Sequence, residues 1–235
     1  MPDRSDEGCF VDRRRFLLST VPAVAAATIA PTAAESGSAS PATPYSPSYF
    51  IAAEWAFLKA AITRLIPSDG EGPGGIEAGI PEFIDRQMEL PYGHGSYWYL
   101  KGPFADDSPP TLGYQLRYPP RDIYRVGIRS VNDACTKEFG NVFANLETEQ
   151  QDKVLHALET GTLKVAEIPA GVFFEQLLTN TREGYFADPQ YGGNRGMAAW
   201  KWIGFPGARA DFTDWIDQAG KVYPYGPVSI AGRSA

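Results

Sequence analysis

The chain predicts a mainly α-helical protein, a single compact helical domain with long loops rich in Gly, Pro and aromatic residues. Three observations carry this. Apolar residues recur three and four positions apart in several segments, the spacing of one buried helix face. Alternating apolar and polar runs of useful length are few, so no sheet is required. The 24 Gly, 20 Pro and 13% aromatic residues supply segments that punctuate the helices rather than extend them.

Taken in order, Ser46-Pro47 reads as a helix start, with Ser as cap and Pro at the first helical position. Ile51, Trp55, Leu58, Ile62 and Leu65 then form one apolar stripe, and Pro67 ends the helix. A glycine-rich loop, Asp69 to Gly79, leads to a second helix over Pro81–Leu90, with Phe83, Ile84 and Met88 inward. Tyr92 to Leu116 is a long aromatic loop. After Pro119-Pro120 a helix is predicted over Asp122–Phe139, with Ile128, Val131, Ala134 and Phe139 as apolar neighbours of Cys135. Thr148-Glu149-Gln150-Gln151 is a capping-box pattern that opens a helix stopping at Gly161. Another spans Gly171–Tyr185, with Phe173, Phe174, Leu177 and Leu178 apolar, and Asp211–Gly220 is read as one more.

Residues 1–34 stand apart. Arg13-Arg14-Arg15-Phe16-Leu17-Leu18 precedes a short apolar run, Ser19–Ala30, and a small-residue stretch, Pro31-Thr32-Ala33-Ala34. Charged start, apolar middle and small-residue end make an export signal. The run is too short and too broken by Ser19, Thr20 and Pro22 for a core helix, and too short for a membrane anchor. Arg13, Arg14, Phe16 and Leu17 read as a twin-arginine signal, although Asp12 and Leu18 depart from the usual neighbours. Cleavage after Ala33 and cleavage after Ala34 both fit. Residues 35–47 read as a Ser/Ala/Pro/Thr-rich disordered leader, and residues 48–235 as the folded domain. The expected location is therefore the periplasm.

Charge and cysteine narrow the function. The segment Met1–Ala34 holds as many basic as acidic residues, so the remainder carries the whole net charge of −7. Such a surface does not attract nucleic acid or anionic lipid, and no later segment spans a membrane. Cys9 leaves with the signal. Cys135 is then the lone thiol, either buried and inert or bonded to another chain.

Cofactor signatures are missing where the export route leads one to look for them. Gly70-Glu71-Gly72-Pro73-Gly74-Gly75 matches GxGxxG, but a helix precedes it instead of a strand. No CxxCH stands in the chain, and one thiol does not hold an iron–sulfur cluster. His94 and His156 alone do not make a multi-histidine metal site. No GxSxG elbow exists, and Asp106-Asp107 read as solvated loop charges. A signal for folded, cofactor-loaded export without a cofactor site points to a partner that bears the cofactor.

The segment Gly184–Gly207 is the most distinctive. Its Tyr, Trp, Phe, Met and Arg are the residue types that anchor interfaces. Composition alone leaves two readings, a partner-binding loop and a loop folded over the protein's own core. The candidate interface residues are Tyr92, Trp98, Tyr185, Tyr191, Asn194, Arg195, Trp200, Trp202 and Phe205.

The chain resembles the small subunit, subunit 3, of the gluconate 2-dehydrogenase type of membrane-bound flavoprotein dehydrogenases. Arg64-Leu65-Ile66-Pro67, Ala78–Asp85, Pro91-Tyr92-Gly93, Gly102-Pro103-Phe104, Gly113-Tyr114-Gln115 and above all Gly184–Pro189 through Gly192-Gly193-Asn194 to Trp200–Gly207 carry the likeness. The resemblance implies a large FAD-binding subunit of the glucose–methanol–choline type and a multi-haem cytochrome c subunit as partners. It implies that FAD and c-type haem sit in those partners and none in this chain. It also implies that the small subunit helps the flavoprotein mature and carries it through the twin-arginine pore, and that the cytochrome supplies the membrane attachment. No catalytic residue transfers. Two other readings stay open. One is an exported sugar-active enzyme using Trp98, Tyr99, Trp200 and Trp202 with Asp188 or Glu183. The other is a solitary periplasmic binding module.

Overall fold

Six α-helices, joined by turns and short 3-10 segments, form the residues described by the computed structural model, 45–232 apart from 71, 106–107 and 166–167. The export signal, most of the leader and the Asp106-Asp107 pair lie outside the described residues. The helices are α1 (Ala52–Leu65), α2 (Ile80–Glu89), α3 (Pro120–Phe139), α4 (Thr148–Glu159), α5 (Ala170–Phe186) and α6 (Ala198–Ile203). The mainly helical class expected from the apolar spacing is what the structure shows. Among the described residues the β-structure amounts to an isolated bridge between Gly207 and Val228. No described helix is long and apolar enough to cross a membrane.

Helix α5 is the central element. It packs against α2, α3 and α4 and against α6 at its end, and α1 packs against α2, α3, α4 and α5. Aromatic rings fill the centre. Phe57 of α1 lies 4.7 Å from Phe143 and 6.0 Å from Phe173, and Tyr124 meets Phe173 edge-on at 6.1 Å. Helix α3 approaches α5 this closely because residue 127 is Gly. A Cβ there would stand 2.3 Å from the Phe173 ring.

Three local expectations need correction. Helix α1 begins at Ala52, not at Ser46-Pro47. The buried carboxylate of Asp85 takes the backbone N–H groups of Ser48, Tyr49 and Phe50 at 2.8, 3.1 and 3.0 Å, which holds that segment out of the helix. Its inward stripe is also turned. Phe57, Leu58, Ala61 and Ile62 are buried, whereas Ile51 is exposed and Trp55 and Leu65 are half-buried. Second, the capping pattern of α4 sits one residue earlier than read. Glu147 is the cap, and its N–H donates to Gln150 Oε1 at 3.2 Å. Gln151 instead turns inward to the Phe143 carbonyl at 3.1 Å. Third, Asp211–Gly220 yields a single 3-10 turn, Thr213–Trp215. Asp211 Oδ1 captures the Thr213 N–H at 3.0 Å, a local bond that competes with helix, and Phe212 and Ile216 stay exposed with no face to bury.

Candidate functional site

The segment after α5 folds back on the domain through side chains that replace missing helical bonds. Asn194 is buried and left-handed, with φ +43°. Its Nδ2 donates to the Ala187 carbonyl at 3.1 Å and its Oδ1 accepts the Ala199 N–H at 2.9 Å. One amide thereby ties the end of α5 to the start of α6. Gly193 lies against α5 so closely that a Cβ would meet the Gly184 carbonyl oxygen at 2.1 Å. Asp188, also buried, accepts the Gln190 N–H at 3.1 Å and the Ile230 N–H at 2.6 Å. It thus fastens the C-terminal segment as well as its own turn.

The nine candidate interface residues divide by direction. Tyr185 and Trp200 are buried, the first donating to the Pro73 carbonyl and the second, through Nε1, to the Phe186 carbonyl, each at 2.9 Å. Tyr92 is half-buried. Its hydroxyl accepts from Gln176 Nε2 at 2.7 Å and Asn180 Nδ2 at 2.9 Å. With Asn194, Tyr185 and Trp200 shape the segment from within. Tyr191, Trp202 and Phe205 face outward, 46%, 55% and 44% exposed. Arg195 is also exposed and pairs with Glu82, which also holds Arg86. Trp98 belongs to a different place. It packs against Tyr114 at a tilt of 55° with ring centres 4.8 Å apart and lines a cavity of about 350 Å³ together with Tyr99 and Phe104. Trp200 and Trp202 do not line that cavity, so the four aromatic residues of the sugar-enzyme reading are not gathered around it.

The helical segment α6 was not foreseen inside this block. Its six residues take helical form once Asn194 has supplied the first bond, and Gly204 closes it in the left-handed region. The reading of Gly184–Gly207 as a loop is corrected to that extent.

Sequence reasoning also missed the buried polar side chains that organise the site. Asp85 is one. Burial would raise its pKa, but the bonds from the Phe50 and Ser48 backbone and from the Tyr45 and Ser48 side chains outweigh that and hold it below the usual carboxylate range. Gln176 and Asn180 are two more. Asn180 accepts from the Tyr124 hydroxyl at 3.1 Å and from Gln176 Nε2 at 2.6 Å, and donates to Glu183 Oε2 at 2.7 Å. The available signal was positional. Asp85 shares a helix face with Pro81, Ile84 and Met88, and Asn180 continues the Phe173–Leu177 stripe. A polar residue on an apolar face is the informative exception. Burial also pushes the Tyr92 phenol up, opposed by its bonds from Asn180 and Gln176 and helped by the nearby Glu183 charge, so it stays protonated at neutral pH.

Cys135 is 1% exposed in α3. Burial first, then the Glu138 charge, pushes its thiol up to about 11. A disulfide to another chain would require this side chain to leave the core. His94 contacts the Arg121 guanidinium at 2.7 Å, and His156 is an exposed residue 3.4 Å from Glu159. Among the described residues no three His, Cys, Asp or Glu side chains gather as a metal-binding group.

Compared with known proteins, residues 52–207 match the family model described as Gluconate 2-dehydrogenase subunit 3. That span runs from the first residue of α1 to the end of the Trp200–Gly207 block. No curated protein and no solved structure matches the chain.

Proposed function

Because this chain belongs to the gluconate 2-dehydrogenase subunit 3 family, we propose that it is the non-catalytic small subunit of a periplasmic, membrane-associated FAD-dependent dehydrogenase acting on a sugar or sugar acid. Its partners are an FAD-binding subunit of the glucose–methanol–choline type and a multi-haem cytochrome c subunit. The redox groups reside in those partners. The chain assists maturation of the flavoprotein and takes it through the twin-arginine route on the signal carried by Arg13, Arg14, Phe16 and Leu17.

The observation that carries this reading is the family match across the aromatic block. The shape of that block supports it. Tyr191, Trp202 and Phe205 present apolar rings to solvent, and the cation Arg195, paired with Glu82, is exposed as well. Inward bonds of Tyr185, Asn194 and Trp200 hold the segment in one conformation before any partner arrives. Rigid aromatic anchors of this kind lose little entropy on binding. Tyr92 is held by Gln176 and Asn180 of α5, and Trp98 with Tyr99 and Phe104 forms a second, separate aromatic patch.

The test is co-expression of the full chain with the flavoprotein, followed by cell fractionation. The expected result is flavoprotein in the periplasm with the intact chain, and in the cytoplasm when Arg13 and Arg14 are both changed to Lys. Periplasmic flavoprotein in the absence of the chain would refute the proposal.

A further inference from the structure

The buried polar network of α5 ends at a surface cleft of about 540 Å³, a volume within the range of small-molecule sites. Its proton directions follow from the bonds. Gln176 Nε2 uses its two protons on Tyr92 Oη and Asn180 Oδ1. Asn180 Nδ2 uses its two on Tyr92 Oη and Glu183 Oε2. Tyr92 Oη therefore receives two hydrogen bonds from the buried amides of Gln176 and Asn180. Glu183 is anchored through Oε2 and keeps Oε1 as an acceptor. Both residues line the cleft.

We propose that this cleft binds a neutral polyhydroxylated small molecule of the aldose or alditol class. A hydroxyl group needs an acceptor for its proton and a donor for its lone pair. Glu183, fixed from behind by Asn180, supplies the acceptor, and the half-buried Gln87 amide at the wall supplies the donor. Tyr97, Phe186 and Tyr191 line the same cleft and are exposed, so their faces are open to the C–H surfaces of such a ligand. Two carboxylates, Glu183 and Asp188, line the cleft, and no Lys or Arg does. An aldonate would bring a third negative charge into that field. The site thus favours a neutral sugar over its acid, and it does so independently of the accessory-subunit reading.

Calorimetric titration of the full-length chain at pH 7 with glucose, sorbitol and gluconate tests this. The expected result is saturable binding of glucose or sorbitol, with gluconate weaker by about tenfold or more. Glu183→Gln should weaken the neutral ligand by about tenfold and narrow its advantage over gluconate, and Tyr191→Ala should weaken it too, both with unchanged circular dichroism. No saturable binding of either neutral probe, equal affinity for gluconate, or an unaltered affinity in Glu183→Gln would overturn the proposal. Co-purification of the flavoprotein with Glu183→Gln should stay intact, which separates this result from the fate of the accessory role.

Discussion

Replacing Asp85 by Asn keeps the size of a buried side chain and removes half of its accepting capacity. Asp85 Oδ1 takes the N–H groups of Tyr49 and Phe50, and Oδ2 takes the Ser48 N–H, the Ser48 hydroxyl at 3.0 Å and the Tyr45 hydroxyl at 2.7 Å. The Asn amide nitrogen settles with least damage at the Oδ2 position, because two of the three donors there are hydroxyls that can turn and accept. The Ser48 N–H is then stranded, a loss of about 1–3 kcal/mol, and the surviving bonds fall from charged to neutral strength at roughly 0.5 kcal/mol each. The sum is about 3 kcal/mol, or roughly 6–12 °C in Tm for a domain of this size. Urea unfolding at pH 7, followed by far-ultraviolet circular dichroism, reads it directly. Because the folded pKa lies below the ordinary value of about 3.9, the advantage of Asp over Asn is present above that pH. It fades as pH falls through the folded pKa. A loss under about 0.5 kcal/mol at pH 7, or a gap that widens on acidification, would refute the reasoning.

Trp202→Ala should leave urea stability within about 0.5 kcal/mol, since the ring is half exposed, while weakening flavoprotein binding by about 2 kcal/mol in a pull-down titration. Trp200→Ala should instead lower stability by about 3–5 kcal/mol by emptying a buried site, so its effect on the complex must be read after unfolding is measured. Gly127→Ala forces Phe173 off its place against α3, and a loss of about 1–3 kcal/mol is expected in the same unfolding assay. Cys135, with its thiol at about 11, should resist iodoacetamide at pH 8 in the folded chain and react in urea; rapid alkylation without urea would contradict its burial.

What could be read from the sequence was what repeats along one helix. Ile84 and Met88 of α2, or Phe173 and Leu177 of α5, declare an inward face by spacing alone, and both helices stand where expected. Helix α1 exists where expected, yet its start and its stripe are displaced, because the decisive group, Asp85, lies about 35 positions downstream. Local pattern carries no information about such a contact. The same holds for Asn194, whose two bonds build α6 inside a segment that Gly and Pro mark as irregular. The composition of Gly184–Gly207 announced aromatic anchors but not their direction. Whether a ring faces in, as Trp200 does, or out, as Trp202 does, is settled by the turn at Asn194 and Met197, both with positive φ. The Glu183–Tyr92 pair was invisible for a related reason, since its partners come from a helix and a loop far apart in the chain.

The C-terminal segment returns to the place it left. Ala208 N–H donates to the Val228 carbonyl at 2.7 Å, Val228 N–H to the Pro206 carbonyl at 3.2 Å, and Ile230 is fastened to Asp188. Residues 208–227 are thereby an excursion with both feet on one support, and Arg209 lies over the Tyr223 and Tyr225 rings within it. A protease nick in that excursion cuts the backbone without releasing a fragment. The clipped protein would elute from a sizing column at its old volume and betray the break only on a denaturing gel.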